Sequence, residues 1–162
     1  MGQLTDQAAT RASARRAQAP AAVGFFNGVV TRLARLGVPL GPNALLTVRG
    51  RKSGLPRTTP VAIIEVSGRR WIQSPFGHVD WTRNLRAAGE ATLARGRRQE
   101  PVSAVALSED EAAAFFTDVL GPSIAQSAFS RMMGRRLGLT AMVADPRGAA
   151  ATHPVFELLP RS

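Results

Sequence analysis

The hydrophobic pattern of the chain changes from a helical period to a strand period near residue 45. Before that point, the stretch AVGFFNGVVTRLARLG repeats its large apolar residues at helical spacing and places its arginines on the opposite side, which predicts one amphipathic helix. After it, LLTVRG, TTPVAIIEVS and WIQSP are short runs rich in apolar and β-branched residues. These runs, which are separated by Gly-containing turns, predict a three-stranded antiparallel meander.

A short helix and a second hairpin follow the meander. The segment VDWTRNLRAAG predicts a helix with Asp80 as its N-cap and Gly89 as its left-handed C-terminal stop. The runs ATLARG and EPVSAVAL then predict two strands joined by a basic turn at Arg97 and Arg98.

Two helix signals and one last strand complete the pattern. Ser108 and Glu111 have the spacing of a capping box and predict a helix that ends at Gly121 and Pro122. Residues 122–150 predict a further helix plus a loop, and HPVFELL predicts a closing strand. About six strands in adjacent hairpins, without repeated βαβ crossovers, favour a mainly β protein of the α+β class: a six-stranded antiparallel barrel with flanking helices.

Composition sets the expected domain organisation. Residues 1–21 are small, polar and basic, so we expect a flexible N-terminal arm followed by one domain over residues 22–162. No stretch approaches the ~20 consecutive apolar residues of a membrane span, and the N-terminal arginines are not followed by the apolar run of a secretory signal. We therefore expect a cytoplasmic protein whose basic arm is able to make weak contact with the inner face of the membrane.

The charged, cysteine and histidine content of the chain limits the kinds of site and partner that we expect. The chain has 21 Lys and Arg residues against 11 Asp and Glu residues, a net charge of +10, no cysteine, and His78 and His153 as its two histidines. This composition excludes disulfides, thiol nucleophiles and histidine-rich metal sites, so we expect no metal. The positive field attracts an anionic partner, which could be a nucleic acid, an acidic membrane surface or a polyanionic small molecule. Single-strand nucleic-acid binders stack bases on exposed aromatic residues, and with only 6% aromatic residues the chain favours a small-molecule partner and no nucleic acid.

The first candidate site is the basic turn GRKSGLPRTTP, residues 50–60. Gly50 and Gly54 let the backbone approach a ligand, and the N–H groups between them can form a nest for an anion. Cationic and hydroxyl side chains surround this turn: Arg51, Lys52, Arg57, Ser53, Thr58 and Thr59. Arginine binds a phosphate with two parallel hydrogen bonds and lysine acts as a point charge. A solvated basic turn without a ligand is the alternative.

The second candidate site is SPFGHVDWTRNLRAAG, residues 74–89. On the predicted helix, Asn84 shares one face with Trp81 and Leu85. A buried amide is costly unless its donors and acceptor are matched, so Asn84 either holds a neighbouring loop in place or faces a ligand. The residues before the helix, 74–77, can present backbone amides to a planar ring. No catalytic triad or carboxylate pair is present, and His78 is the candidate for proton transfer.

Taken together, LLTVRGRKSGLPRTTPVAIIE, WIQSPFGHVDWTRNLRAAGEATLARGRR and HPVFEL resemble the deazaflavin-dependent nitroreductase family, which consists of actinobacterial split β-barrel proteins that use coenzyme F420. The resemblance covers residues 22–160. It implies an FMN-binding-like split β-barrel and an oxidoreductase that transfers a hydride from reduced F420 to a small acceptor. Because related split barrels use FMN, FMN is the alternative cofactor.

The resemblance also implies which residues bind the cofactor. F420 has a flat aromatic head, a phosphodiester and an acidic oligoglutamate tail, so the basic turn would hold the tail while the end of the third strand and the following helix line the ring. The implied set is Arg51, Lys52, Ser53, Arg57, Thr58, Thr59, Pro60, Ser74, Pro75, Phe76, Gly77, Trp81 and Asn84.

The acceptor side is expected to be apolar. Phe25, Phe129, Met132 and Met133 could form an adaptable wall of a substrate pocket, with ordinary core packing as the alternative. The best-known nitroreductases of the resembled family place tyrosines around the substrate, and this chain has no tyrosine. Quinones and activated alkenes therefore join nitro compounds as expected acceptors. The alternative functions are a non-catalytic F420 or FMN carrier and a nucleic-acid-binding protein.

Overall fold

The computed structural model describes residues 43–162. The strands of this part are β1 (Asn43–Arg49), β2 (Pro56–Val66), β3 (Arg69–Gln73), β4 (Glu90–Arg95), β5 (Arg98–Ala106) and β6 (Val155–Pro160). The α-helices are α1 (Asp80–Ala88), α2 (Glu109–Ala114), α3 (Gly121–Ala125), α4 (Ala128–Arg136), α5 (Leu139–Ala144) and α6 (Pro146–Thr152), and a π-helical segment, Phe115–Leu120, joins α2 to α3. The predicted arm, the first helix and Phe25 lie outside the described residues.

The six strands form a closed barrel in the order β1-β2-β3-β6-β5-β4, with every neighbouring pair antiparallel. This confirms the predicted α+β class and the six-stranded split β-barrel. The meander, the second hairpin and the closing strand are also confirmed. The β2–β3 hairpin turns at Ser67 and Gly68, whose φ angles are 51° and 77°, because two left-handed residues match the twist of the flanking strands.

Alternation along the strands fills the barrel. Leu46, Ile63, Ile72 and Phe156 point into one buried cluster together with Leu85 of α1. The helix α1 lies between β3 and β4 in the chain, so its apolar face closes the end of the barrel where β1 and β3 finish. This is the end that carries both candidate sites.

Charged side chains lie at the opposite end of the barrel, where β2 and β4 finish. Arg70 forms an ion pair with Glu100, and these side chains are 14% and 30% exposed. Arg95 Nη1 lies 3.7 Å from Glu65 Oε2. The partly buried Arg70–Glu100 pair needs both partners, because removal of one leaves an uncompensated charge, whereas the Arg95–Glu65 pair is exposed to solvent.

The helices after β5 form a second buried cluster on the outer face of β3 and β6. Trp71 packs against Phe115 with their ring centroids 6.0 Å apart, and Val155 and Met142 belong to the same cluster. The predicted capping box is confirmed, because Ser108 and Glu111 exchange both hydrogen bonds at the start of α2.

The prediction that this helix ends at Gly121 and Pro122 is wrong. Gly121 has helical angles (φ −54°, ψ −57°), and the chain continues through the π-helical segment into α3. Pro122 stands in the first turn of α3, where the missing N–H is tolerated. The prediction of one helix plus a loop for residues 122–150 is also wrong, since this stretch contains the four short helices α3 to α6.

Candidate functional site

The loop between β1 and β2 is closed by its own backbone. Gly50 N donates to the carbonyl oxygen of Leu55 at 2.8 Å, and Gly54 N donates to the carbonyl oxygen of Gly50 at 2.8 Å. A β-carbon on Gly50 would lie 2.8 Å from Ser53 Oγ and 3.2 Å from the Leu55 oxygen. A side chain at position 50 would displace the Ser53 hydroxyl and crowd the Leu55 oxygen, so glycine suits the tight closure of the loop.

The expected nest of backbone N–H groups is smaller than the sequence suggested. Four of the loop amides have partners inside the protein: those of Gly50, Gly54, Leu55 and Arg51. Only the amides of residues 52 and 53 lack a partner among the described residues. An anion at this loop would therefore rely mainly on side-chain cations.

Asn84 holds the loop in place. Its Oδ1 accepts hydrogen bonds from Arg51 N at 3.2 Å and from Arg51 Nη1 at 2.8 Å. Arg51 Nη2 also lies 3.1 Å from Asp80 Oδ1, and 26% of the arginine side chain is exposed. Of the two possibilities left open for Asn84, the structure shows the loop contact, and it commits part of the donor capacity of Arg51 to that contact.

Asp80 is not the N-cap of α1, contrary to the prediction. The helix begins at Asp80 and the N-cap is Val79, which makes no side-chain capping bond. Thr82 Oγ1 donates instead to the Val79 oxygen at 2.8 Å. The Asp80 carboxylate is thus left to pair with Arg51, and an acid in the first turn is favourable for the helix dipole. Gly89 ends α1 in the left-handed conformation (φ 67°), as predicted.

Lys52 and Arg57 are the uncommitted cations of the site. Both are exposed, and neither forms an ion pair with another residue in the range 43–162. Beside them, Thr58 Oγ1 shares a hydrogen bond of 2.8 Å with Thr47 Oγ1 on the outer face of the β1–β2 pair. Thr59 and Pro60 follow as half-buried residues of β2.

Two buried polar atoms without partners mark the end of β3. Ser74 is completely buried, and its Oγ has no hydrogen-bond partner among residues 43–162. Gln73 Oε1 is likewise buried and unpartnered. Sequence reasoning missed Gln73, although its position next to Ser74 at a strand end was a usable signal. Buried polar atoms are nearly always hydrogen-bonded, so two neighbouring exceptions within residues 43–162 leave room for a partner from elsewhere in the chain, from water or from a ligand.

The turn after β3 brings a glycine and an aromatic ring to the surface. Phe76 is 74% exposed. Gly77 has φ +73°, and a β-carbon there would lie 3.2 Å from the carbonyl oxygen of Thr152. The turn leads directly into α1, because Val79 N donates to the Gly77 oxygen at 3.0 Å. Arg51, Asn84 and this turn therefore converge on the start of one helix.

The remaining predicted site residues are Trp81, Pro75, His78 and three residues of α4. Trp81 packs on Phe156 with ring centroids 6.2 Å apart, and Pro75 is half-buried while His78 is exposed. On α4, Phe129 and Met132 are 52% and 45% exposed, and Met133 is half-buried. Their predicted role in a substrate pocket stays a prediction.

Within residues 43–162, the groups with shifted pKa values lie away from the loop. Two hydrogen bonds from Arg69, at 2.8 Å and 2.9 Å, hold the pKa of the Glu157 carboxyl below its ordinary value of 4.5. In the capping box, the backbone of Ser108 lowers the pKa of Glu111. Within residues 43–162, no three His, Asp or Glu side chains form a cluster able to hold a metal ion. No described helix is long and apolar enough to span a membrane.

The exposed residues of this site fit a ligand with an anionic tail. Lys52 and Arg57 offer free cations for the tail. A groove of about 300 Å³ lies beside the loop, and its lining includes Arg49, Gly54 and Pro56 together with the acidic Glu90, but neither Lys52 nor Arg57. Ser74 Oγ is buried directly before the exposed turn of residues 75–77 and has no partner among the described residues. F420 has an acidic tail, so the cations of this loop fit that part of the cofactor.

The chain is similar to one known protein family and to several solved structures. The sequence matches the F420H2-dependent quinone reductase family over residues 16–146. No curated protein matches the chain. Among solved structures, an F420-H2 dependent reductase (FDR-A) is 23% identical, with 73% of this chain and 94% of that chain covered and a TM-score of 0.43. A putative 5-nitroimidazole antibiotic resistance protein from Bacteroides thetaiotaomicron is 9% identical over 82% of this chain and 80% of that chain, with a TM-score of 0.51.

A third similar structure is an FAD-binding protein from Mesorhizobium loti, which is 14% identical over 75% of this chain and 83% of that chain, with a TM-score of 0.41. At these identities the structural likenesses bear on the fold alone. The family match is different, because it spans most of the chain and includes the basic loop, the end of β3 and α1. The chain belongs to the F420H2-dependent quinone reductase family.

Proposed function

We propose that this protein transfers a hydride from reduced coenzyme F420 to a small organic acceptor. Quinones are the favoured acceptors, and nitro compounds and activated alkenes are further candidates. The observation that carries the proposal is the family match over residues 16–146. The site supports it independently, since free cations and unpartnered buried polar atoms lie at the same end of the barrel.

The basic loop would hold the acidic tail. Lys52 and Arg57 have no competing ion pair among the described residues, so they can bind phosphate and carboxylate groups without first giving up a partner. Arg51 has a different role in this proposal. Its bonds to Asn84 and Asp80 fix the loop against α1, and a fixed loop loses less conformational entropy when the ligand binds.

The end of β3 would hold the ring. Ser74 and Gln73, whose polar atoms are buried in the cofactor-free chain, would hydrogen-bond the polar ring edge after a shift of the exposed turn that follows them, and Gly77 lets this turn pack against the carbonyl oxygen of Thr152. When bound, reduced F420 supplies the hydride, so the chain itself has only to bind, orient and shield the reactants. Hydride transfer depends on the alignment of donor and acceptor, which rigid strand ends provide better than mobile loops.

The test is a fluorescence titration of the purified protein with F420, with FMN in parallel. We expect F420 to bind with strong salt dependence, and the double variant Lys52→Ala/Arg57→Ala to weaken binding about tenfold or more, because charge-assisted hydrogen bonds are lost. The matched control is Arg97→Ala, which removes an exposed arginine from the β4–β5 turn at the other end of the barrel.

The outcomes separate the alternatives. Equal affinities for the double variant and the wild type would show that the loop is only a basic turn. Binding of FMN alone would keep the fold and change the cofactor. Oxidation of reduced F420 is then followed by absorbance with a water-soluble naphthoquinone, a nitroarene and an activated alkene. Tight F420 binding without turnover of any of them would favour a carrier over an enzyme.

A further inference from the structure

Two large apolar side chains of helix α4 face solvent and do not pack in the core. Phe129 and Met132 lie three residues apart, on adjacent turns, and are 52% and 45% exposed. The inward side of the same helix carries Gly134, where a β-carbon would lie 2.9 Å from Ile124 Cγ2. A surface helix normally points its apolar side chains at the core. In α4, Gly134 makes the contact with the core, whereas Phe129 and Met132 face outward.

Arginines share this outward side. Arg136 lies four residues after Met132, and Arg135 lies three residues after it, so all three project from neighbouring positions on the helix. We refer to Phe129, Met132, Arg135 and Arg136 as the α4 surface. Both arginines are exposed, and neither forms an ion pair within the described range.

Acidic residues are missing from the whole segment around α4. Residues 122–144 contain three arginines and no Asp or Glu. In contrast, the exposed apolar pair Val105 and Leu159 on β5 and β6 lies next to the acidic Glu157, which pairs with Val105 across the strands. The α4 surface therefore combines exposed apolar area with uncompensated positive charge.

We propose that the α4 surface docks on an anionic lipid bilayer. At the membrane interface, the apolar side chains enter the boundary of the acyl chains while the guanidinium groups remain with the lipid phosphates. A bilayer of this charge satisfies both halves of the surface at once. A nucleic acid would pair with the arginines and leave the methionine side chain without a partner. The proposal does not depend on the oxidoreductase activity.

The experiment measures partitioning of the full chain onto vesicles of phosphatidylcholine with and without phosphatidylglycerol, by sedimentation. We expect binding to the anionic vesicles only. Phe129→Ser/Met132→Ser and Arg135→Gln/Arg136→Gln should each reduce the partition coefficient on the order of tenfold. The matched control Val105→Ser/Leu159→Ser removes two exposed apolar side chains elsewhere and should bind as the wild type does.

Four results would overturn the proposal. In the first, both α4 double variants bind vesicles as strongly as the wild-type protein does. In the second, only the triple variant Arg11→Gln/Arg15→Gln/Arg16→Gln loses vesicle binding, which would assign the binding to the N-terminal arm. In the third, the α4 variants lose affinity for a single-stranded oligonucleotide and keep their vesicle binding. In the fourth, they raise the KM for a soluble quinone with vesicle binding unchanged, which would make Phe129 and Met132 part of the substrate pocket. Thermal unfolding of each variant confirms that it is folded.

Discussion

Ser74 gives the sharpest test of the site, because its hydroxyl should lower stability and raise affinity at the same time. The side chain is completely buried, and its Oγ has no partner in the part of the chain that the structure describes. A buried polar group without a hydrogen bond costs about 1–3 kcal/mol. Ser74→Ala removes the hydroxyl and leaves almost the same volume. We therefore expect the cofactor-free variant to be more stable than the wild type by about 1 kcal/mol, which raises Tm by about 3–5 °C for a domain of this size.

Thr82 provides the matched control. It is also buried, at 1% exposure, but its Oγ1 donates to the Val79 oxygen at 2.8 Å. Thr82→Val keeps the shape and removes a satisfied hydroxyl, so we expect a loss of about 1 kcal/mol. The Val79 oxygen keeps the bond from Arg83 N, which limits the cost. Two buried hydroxyl deletions should thus change stability in opposite directions.

The assay combines urea unfolding of the cofactor-free proteins with F420 titration. We expect Ser74→Ala to bind F420 about fivefold more weakly, the value of one hydrogen bond of about 1 kcal/mol. If Ser74→Ala lowers the stability of the cofactor-free protein, the hydroxyl has a partner in the folded chain and the reasoning fails. If stability rises and affinity stays the same, the hydroxyl is unpartnered but does not face the cofactor.

Two further predictions concern the loop contact and the acid response. Asn84→Leu removes the acceptor of two Arg51 hydrogen bonds and should cost about 2 kcal/mol and speed amide exchange at Arg51. Unchanged exchange there would contradict the loop contact. The pKa of Glu157 is lower in the folded protein than its ordinary value of 4.5, so its stabilising effect is complete above that pH and is lost as pH falls through the lowered pKa. Glu157→Gln should therefore flatten the decline of urea midpoints below pH 4.5, whereas Glu109→Gln should not.

The sequence by itself determined the strands, most of the turns and the position of the basic loop. These features depend on neighbours within a few residues, such as the apolar alternation of β1 to β3, the left-handed Gly89 and the capping box of Ser108 and Glu111. Local rules of this kind act the same way in any fold, so they can be read directly from the chain.

The tertiary structure alone decided how the site residues are used. Arg51 and Asn84 are 33 residues apart in sequence, and only the closure of the barrel end by α1 makes them partners. The same closure places the Asp80 carboxylate beside Arg51, so it forms an ion pair and does not have its predicted capping role.

Packing decided what the local signals could not. The predicted helix stop at Gly121 and Pro122 was overridden, because the buried contacts of Phe116 and Leu120 favour continuation through a π-helical segment. The unpartnered state of Ser74 and the outward position of Phe129 depend on which atoms surround each side chain in space. A sequence pattern specifies the type of residue at a position, whereas burial and hydrogen-bond partners are set by chain segments that are distant in sequence.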